Sequence, residues 1–207
     1  MNIKSLQVTA YGTNCYILCD ETEKVCAVVD PGGDPVRVEA MVESTGCTPC
    51  AVFLTHGHLD HVGAAEALMR LWPDVPVYLN RRDTALSADA YTAQLFPVPH
   101  GTVNYDEGDT IRVGSLTVSV MATPGHSEGS VVLRCGDTLF CGDTLFAGSM
   151  GRTDFPGGSE RKIMDSLRRL AALEGDFKVL PGHMEPSTLD RERKNNPYIR
   201  YALKNAL

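Results

Sequence analysis

Residues 55–61 read THGHLDH, and they directly follow the short apolar segment CAVFL (residues 50–54), which is predicted to be a buried strand. Three imidazoles and the carboxylate of Asp60 lie within six residues of this loop. Burying so many polar groups without partners would be costly, and imidazole and carboxylate are ligand types that suit zinc and related ions. In an extended loop His56 and His58 point the same way and can share one ion, while Asp60 and His61 can reach a second.

The other histidines extend this pattern. His126 lies in TPGHSEG (residues 123–129) and His183 in LPGHMEP (residues 180–186), and each follows a predicted strand and a Pro-Gly turn. Such turns at strand ends project a side chain into a shared cleft. Five of the six histidines are thereby candidate metal ligands. His100, in FPVPHGT, has no acidic or histidine neighbour and is predicted to be an ordinary surface residue.

Composition and charge exclude several classes of protein. The 207 residues carry a formal net charge of −7, which argues against a nucleic-acid partner. The N-terminus shows no secretory signal, no segment has the length of a membrane span, and the seven cysteines do not form a disulfide framework. These features predict a cytoplasmic protein with reduced thiols and no membrane partner. Cys47 and Cys50 (CTPC) are interpreted as a turn before a strand, in preference to a redox pair or half of a zinc knuckle.

The periodicity predicts two β-rich halves with helices after their strands. Residues 6–11, 15–19 and 25–30 are predicted to form a meander, and Asp34 and Pro35 to begin a helix. Residues 110–122 are typical of a hairpin, residues 159–173 of an amphipathic helix, and residues 187–195 of a terminal helix. No linker divides the chain, so one domain covering residues 1–207 is expected, with two sheets packed together and helices outside.

The sequence resembles the metallo-β-lactamase superfamily of metal-dependent hydrolases. The matching segments are THGHLDH, TPGHSEGS, GDTLF and PGH, in the family's order and spread over most of the chain. The resemblance implies a mixed α/β (α+β) fold, a four-layer αββα sandwich. It also implies one metal on His56, His58 and His126, a second on Asp60, His61 and His183, and a bridging aspartate from the GDTLF segment. The donor set favours two zinc ions, with iron and manganese as alternatives.

The GDTLF segment occurs twice, because residues 135–146 read CGDTLFCGDTLF. Too few residues separate His126 from Asp137 to form a strand, a turn and a returning strand. Asp137 is therefore predicted to lie in the hairpin turn at the far end, where Gly-Asp is ordinary turn chemistry. Asp143 falls at the returning end near His126 and is predicted to be the bridging ligand.

Within the superfamily, residues 142–158 (GDTLFAGSMGRTDFPGG) and 180–199 resemble compact, single-domain relatives of type II glyoxalase. That resemblance implies hydrolysis of a thioester such as hydroxyacylglutathione by a hydroxide held between two metals, with Asp60 orienting the hydroxide as the catalytic residue. Full-length type II glyoxalases have a C-terminal helical extension that contacts glutathione, and this chain is expected to lack it. The acyl group, the use of glutathione and the oligomeric state stay open.

Two other interpretations are retained. A persulfide dioxygenase shares the scaffold and would use one iron on His56, His126 and Asp143. A non-enzymatic metal-binding module would lack one of the ligands or have a closed site.

Two further features have open roles. Arg152 and Asp154 either support the site or form a surface ion pair, and Asp30 lies either near the site or in a plain turn.

The assignment of the two aspartates predicts different effects of substitution. Asp143→Ala should abolish activity and release metal, because it removes the bridging ligand. Asp137→Ala should cause only a modest loss of stability. Activity assays and elemental analysis of both variants test this, and the reverse pattern would show that the assignment is wrong.

Overall fold

The computed structural model describes residues 1–85 and 92–205 and contains two six-stranded sheets. The strands of the first sheet, in their order across it, are β1 (Asn2–Val8), β2 (Thr13–Asp20), β3 (Val25–Val29), β4 (Thr48–Phe53), β5 (Val77–Leu79) and β6 (Val103–Asn104). β1 to β3 form an antiparallel meander, whereas β3 to β6 are parallel. The predicted meander is confirmed.

The second sheet comes from the C-terminal half of the chain. Its strands are β7 (Thr110–Val113), β8 (Leu116–Ala122), β9 (Val131–Cys135), β10 (Thr138–Gly142), β13 (Lys178–Pro181) and β14 (Ser187–Thr188). Across the sheet they lie in the order β14-β13-β10-β9-β8-β7. The predicted hairpin of residues 110–122 is β7 paired with β8. β11 (Leu145–Phe146) and β12 (Ser149–Met150) form a separate small hairpin.

The described helices are α1 (Pro35–Thr45), α2 (Leu59–Val62), α3 (Ala65–Leu71), α4 (Arg81–Thr84), α5 (Thr92–Leu95), α6 (Glu160–Ala171), α7 (Leu189–Asn195) and α8 (Pro197–Lys204). No helix in the ranges 1–85 and 92–205 is both long and apolar enough to cross a membrane.

Alternation along the strands divides the core into three layers of contacts. On β2, Ile17 faces α1 and α3 in one cluster, whereas Tyr16 and Leu18 face the second sheet in another. On the far side of the second sheet, Leu139 packs with α6, α7 and α8. Successive strand residues point to opposite faces, so each sheet is covered on both sides. The predicted four-layer αββα sandwich is confirmed.

Several local predictions are refined. α1 begins at Pro35 as predicted, but the Asp34 side chain makes no cap and instead accepts a hydrogen bond from Arg37 at 3.1 Å. Cys47 precedes β4 while Cys50 lies within it, and all seven cysteines are free thiols. The segment RRDTALSADA (residues 81–90) is also predicted to contain a helix; α4 covers Arg81–Thr84 of it, and residues 86–91 lie outside the described residues.

The prediction of a single terminal helix is incomplete, because α8 follows α7 directly. The break occurs at Asn196-Pro197, since a residue before proline is disfavoured in helical conformation. Asn196 is fully buried, and its Oδ1 accepts from the backbone N–H groups of Tyr198 and Ile199 at 3.0 and 3.3 Å. Its Nδ2 donates to the carbonyl of Ser149 at 2.9 Å, which ties α8 to the β11–β12 hairpin.

Asn196→Ala should lower the free energy of unfolding by about 2–4 kcal/mol. The helix cap contributes about 1 kcal/mol, and the buried groups left without a partner cost about 1–3 kcal/mol more. Urea unfolding followed by circular dichroism measures the change. Asn195→Ala is the matched control, because the Asn195 amide makes only an exposed bond to the Arg191 carbonyl. If the two variants are equally stable, the anchoring role of Asn196 is wrong.

Candidate metal centre

Four loops meet at one edge of the two sheets and supply the candidate ligands. The loop after β4 and the start of α2 carry His56, His58, Asp60 and His61, and the loops after β8, β10 and β13 supply one side chain each: His126, Asp143 and His183. The structure brings together all seven side chains that the sequence analysis selected. His100 is exposed and belongs to none of the described ligand groups.

The seven side chains form two groups with an aspartate between them. Donor atoms of His56, His58 and His126 lie within 4.8 Å of one another, and so do those of Asp60, His61 and His183. The carboxylate of Asp143 contacts both groups, as the following distances show: Oδ1 is 3.3 Å from His61 Nε2, and Oδ2 is 3.5 Å from the Nε2 atoms of His126 and His183. Asp143 thus has the position expected of a bridging ligand, and this role stays a prediction.

The two GDTLF copies occupy opposite ends of one strand. Asp137 lies in the turn between β9 and β10, where 59% of its side chain is exposed and it pairs with Lys178 at 3.3 Å. Asp143 follows the other end of β10, six residues on and about 20 Å away along an extended strand. The aspartate of the hexapeptide is therefore exposed in the first copy and buried among histidines in the second.

Backbone carbonyls orient two of the imidazoles. His126 Nδ1 donates to the carbonyl of Arg152 at 2.8 Å, and His183 Nδ1 donates to that of Tyr11 at 3.3 Å. Because a carbonyl oxygen only accepts, the neutral form of each ring carries its proton on Nδ1. The Nε2 lone pairs of both rings consequently point toward Asp143.

Asp30, whose role the sequence left open, lies beneath the site. It is 2% exposed and accepts hydrogen bonds from the Thr55 backbone N–H and Oγ1, both at 2.7 Å, and from His61 Nδ1 at 3.0 Å. The Thr55 hydroxyl also lies 3.1 Å from His56 Nδ1. One carboxylate therefore orients His61 directly and His56 through Thr55, as partners of metal-ligating histidines commonly do.

The donor atoms fit a pair of cations. His61 Nε2 and His183 Nε2 are 3.3 Å apart, and His58 Nδ1 and His126 Nε2 are 2.8 Å apart. Within the described residues, three buried polar atoms have no hydrogen-bond partner: His56 Nε2, His58 Nε2 and Asp143 Oδ1. Buried polar groups are normally satisfied, and unpaired ones cost free energy. Because lone pairs from several rings and carboxylates converge here, divalent cations would satisfy them together.

The electrostatics of the pocket suit metal ligands, which must be deprotonated. Burial lowers the pKa of His56 well below its ordinary value and that of His58 to about 3. For Asp143 burial acts in the opposite direction, but His61 and the neighbouring imidazoles lower its pKa to about 2. For His61 burial opposes protonation, yet the carboxylates of Asp143 and Asp30 raise its pKa. A positive charge at this point is therefore favoured.

Five of the seven candidate ligands form the floor of an open cavity of about 500 Å³, namely His58, Asp60, His126, Asp143 and His183. Its walls include Tyr11, Leu59, Leu95 and Phe155, which are apolar or aromatic, together with Arg152. Sequence reasoning missed these four residues, because no local pattern marks a large side chain as the wall of a pocket.

Arg152 has two contacts with the site. Its carbonyl holds His126, and its guanidinium lies 3.9 Å from the centre of the Phe155 ring and lines the cavity. Asp154 binds the guanidinium at 2.6 and 2.7 Å and is itself 66% exposed. Asp154 therefore fixes the Arg152 side chain and contacts no candidate ligand through a described hydrogen bond or ion pair.

The chain is similar over nearly its whole length to several known proteins. Hydroxyacylglutathione hydrolase GloC of Haemophilus influenzae is 33% identical, and the alignment covers 96% of this chain and 98% of that protein. The structure of ETHE1 from Myxococcus xanthus superposes with a TM-score of 0.82 at 30% identity, over 100% of this chain and 92% of that one.

Two further solved structures are equally similar. BLEG-1 B3 metallo-beta-lactamase gives a TM-score of 0.84 at 31% identity, over 96% and 99% of the two chains. TTHA1623, solved in a di-iron-bound form, gives 0.79 at 34% identity, over 94% and 99%. The family profile of the metallo-beta-lactamase superfamily matches residues 8–183. The chain therefore belongs to the metallo-β-lactamase superfamily.

Proposed function

We propose that this protein is a metal-dependent hydrolase that cleaves thioesters, with hydroxyacylglutathione as the reference substrate. The observation that carries the proposal is the position of Asp143 between two groups of three ligands, on the floor of an open cavity. Two relatives support it: GloC is named a hydroxyacylglutathione hydrolase, and TTHA1623 was solved with two irons.

The chemistry divides between the metals and the side chains. When bound, two divalent cations supply a Lewis acid for the substrate carbonyl and a water-derived nucleophile at neutral pH. We infer that Asp60 would orient that nucleophile, since it lines the cavity and its Oδ2 accepts a hydrogen bond from the Thr13 hydroxyl at 3.1 Å, with His183 Nε2 also 3.1 Å away. A thiolate leaves readily because thiols are acidic, so no strong general acid is required.

The cavity lining supports a hydrolytic route without a protein nucleophile. Among the described lining residues there is no serine, threonine or cysteine that could form a covalent intermediate. Cys141, a thiol on β10, is fully buried in the cluster formed with α6 to α8, and burial raises the pKa of this thiol. Covalent catalysis by such a group is disfavoured.

The lining also indicates the kind of substrate. The apolar walls would accept an aliphatic or aromatic part of a substrate. Among the described residues, Arg152 is the only Lys or Arg whose side chain lines the cavity. Its guanidinium is held in place by Phe155 and Asp154, so little conformational entropy would be lost on binding. We therefore expect a thioester that carries a carboxylate on its acyl or thiol part.

A mononuclear-iron persulfide dioxygenase is the second candidate. The observation that favours it is that His56, His126 and Asp143 alone provide two imidazoles and one carboxylate. His126 Nε2 lies 3.5 Å from Asp143 Oδ2. Two histidines with one carboxylate are typical of non-haem iron oxygenases.

Elemental analysis of the purified protein, combined with two assays, distinguishes the candidates. We expect two divalent metals per chain, hydrolysis of hydroxyacylglutathione, and loss of that activity on chelation with recovery when zinc is restored. One iron per chain with persulfide-dependent oxygen uptake and no thioester hydrolysis would overturn the proposal in favour of the second candidate.

Arg152→Ala should raise KM for a carboxylate-bearing thioester by about 10–150-fold with a small change in kcat. Loss of a hydrogen bond to a charged group costs about 1.5–3 kcal/mol, and binding common to ground and transition states appears in KM. A neutral thioester should be unaffected, because the Arg152 carbonyl that holds His126 is retained. Arg161→Ala, an exposed arginine on α6, is the matched control. An equal loss with neutral and anionic substrates would contradict carboxylate recognition.

A further inference from the structure

Asp83 is a fully buried carboxylate outside the set of candidate ligands. It lies on α4 and accepts three hydrogen bonds: Oδ2 from the Gly57 backbone N–H at 2.8 Å and from Ser127 Oγ at 2.7 Å, and Oδ1 from the Gly129 backbone N–H at 2.6 Å. Three donors, two of them backbone amides, partly offset the cost of burying this charge.

The three donors belong to the two loops that supply one metal group. Gly57 lies between His56 and His58, and Ser127 directly follows His126. One carboxylate therefore joins the loop after β4 to the loop after β8. These loops must also hold His58 Nδ1 and His126 Nε2 only 2.8 Å apart.

The helix that carries Asp83 is itself anchored. Asn80 is 1% exposed and caps α4 by accepting from the Arg82 backbone N–H at 3.0 Å, while its Nδ2 donates to the carbonyl of Tyr105 at 3.0 Å. The Arg81 backbone N–H donates to the Asn104 side chain at 2.8 Å. Asp83 is thus positioned by the end of β6, independently of the two loops that it joins.

Close packing around Asp83 explains two glycines. A Cβ at Gly129 would lie 2.7 Å from the Asp83 carboxylate, and one at Gly57 would lie 3.1 Å from Asp83 Cβ. Both positions need glycine so that the backbone amides can reach the carboxylate. The glycines of HGH and HSEG therefore belong to the same arrangement as Asp83.

We infer that Asp83 is a positioning residue that sets the separation of His58 and His126 and so determines the affinity of the metal held by His56, His58 and His126. This inference rests on the proposed function. No described contact joins Asp83 to His61, Asp60 or His183, so the second metal should be independent of it. Residues that orient metal ligands from behind change metal affinity by about 10–100-fold when substituted.

The test is an equilibrium zinc titration of the full chain against a chelator, resolved into two sites. Asp83→Asn keeps the side-chain volume but replaces one carboxylate oxygen, which accepts hydrogen bonds, by an NH2 group, which donates them. That NH2 group would face an N–H or O–H donor, so the hydrogen bond at that position would be lost. We expect one site to weaken by about 10–100-fold while the other stays within about threefold of the wild type. Ser127→Ala removes one of the three bonds and should weaken the same site less, which keeps the test usable if Asp83→Asn folds poorly.

Asp20→Asn is the matched control. Asp20 is also buried and accepts from backbone amides, those of Thr22 at 2.9 Å and Ser115 at 2.6 Å, but it lies at the far end of β2 and touches neither metal-binding loop. Equal weakening in Asp20→Asn, or wild-type binding of both metals by Asp83→Asn and Ser127→Ala, would overturn the inference alone. A wild-type chain that binds no metal would overturn the proposed function as well.

Discussion

Five imidazoles and two carboxylates converge at one edge of the sandwich, and holding these charged and polar groups together is the main constraint on the structure. Imidazole nitrogens of neighbouring rings lie 2.8 and 3.3 Å apart, and three buried polar atoms of the described site have no hydrogen-bond partner. Such an arrangement is unfavourable unless positive charge is present. The surrounding structure must therefore hold the candidate ligands in place.

The two-sheet sandwich meets that requirement through its buried layers. β2 is buried along its whole length and packs between α1 and the second sheet, so the ends of the neighbouring strands form a rigid base. Hydrogen bonds then fix individual rings: Asp30 orients His61, and the carbonyls of Arg152 and Tyr11 orient His126 and His183. The rigid strands fix the positions of the candidate ligands, most of which lie in the loops that follow those strands.

Sequence reasoning succeeded where the relevant distances along the chain are short. The candidate ligands of THGHLDH lie within six consecutive residues. The count of residues from His126 correctly distinguishes Asp137, in the hairpin turn, from Asp143, near His126. It missed α8, although Asn196-Pro197 is a local signal for the start of a helix. What no local pattern shows is that Asn196 also donates to the carbonyl of Ser149, 47 residues earlier. Asp83 was missed for a related reason, since a lone aspartate in NRRDT has no local pattern that distinguishes it from a surface residue.

The sequence by itself determined the layered fold, the family and the residue types that can bind metal, because strand alternation and ligand spacing are local properties of the chain. The tertiary structure decided which side chains stand behind the ligands and which line the cavity. Asp83 meets Gly57 and Gly129 across 26 and 46 residues, and Arg152 meets His126 across 26. Contacts of that kind depend on how two sheets pack, and packing is a property of the whole chain.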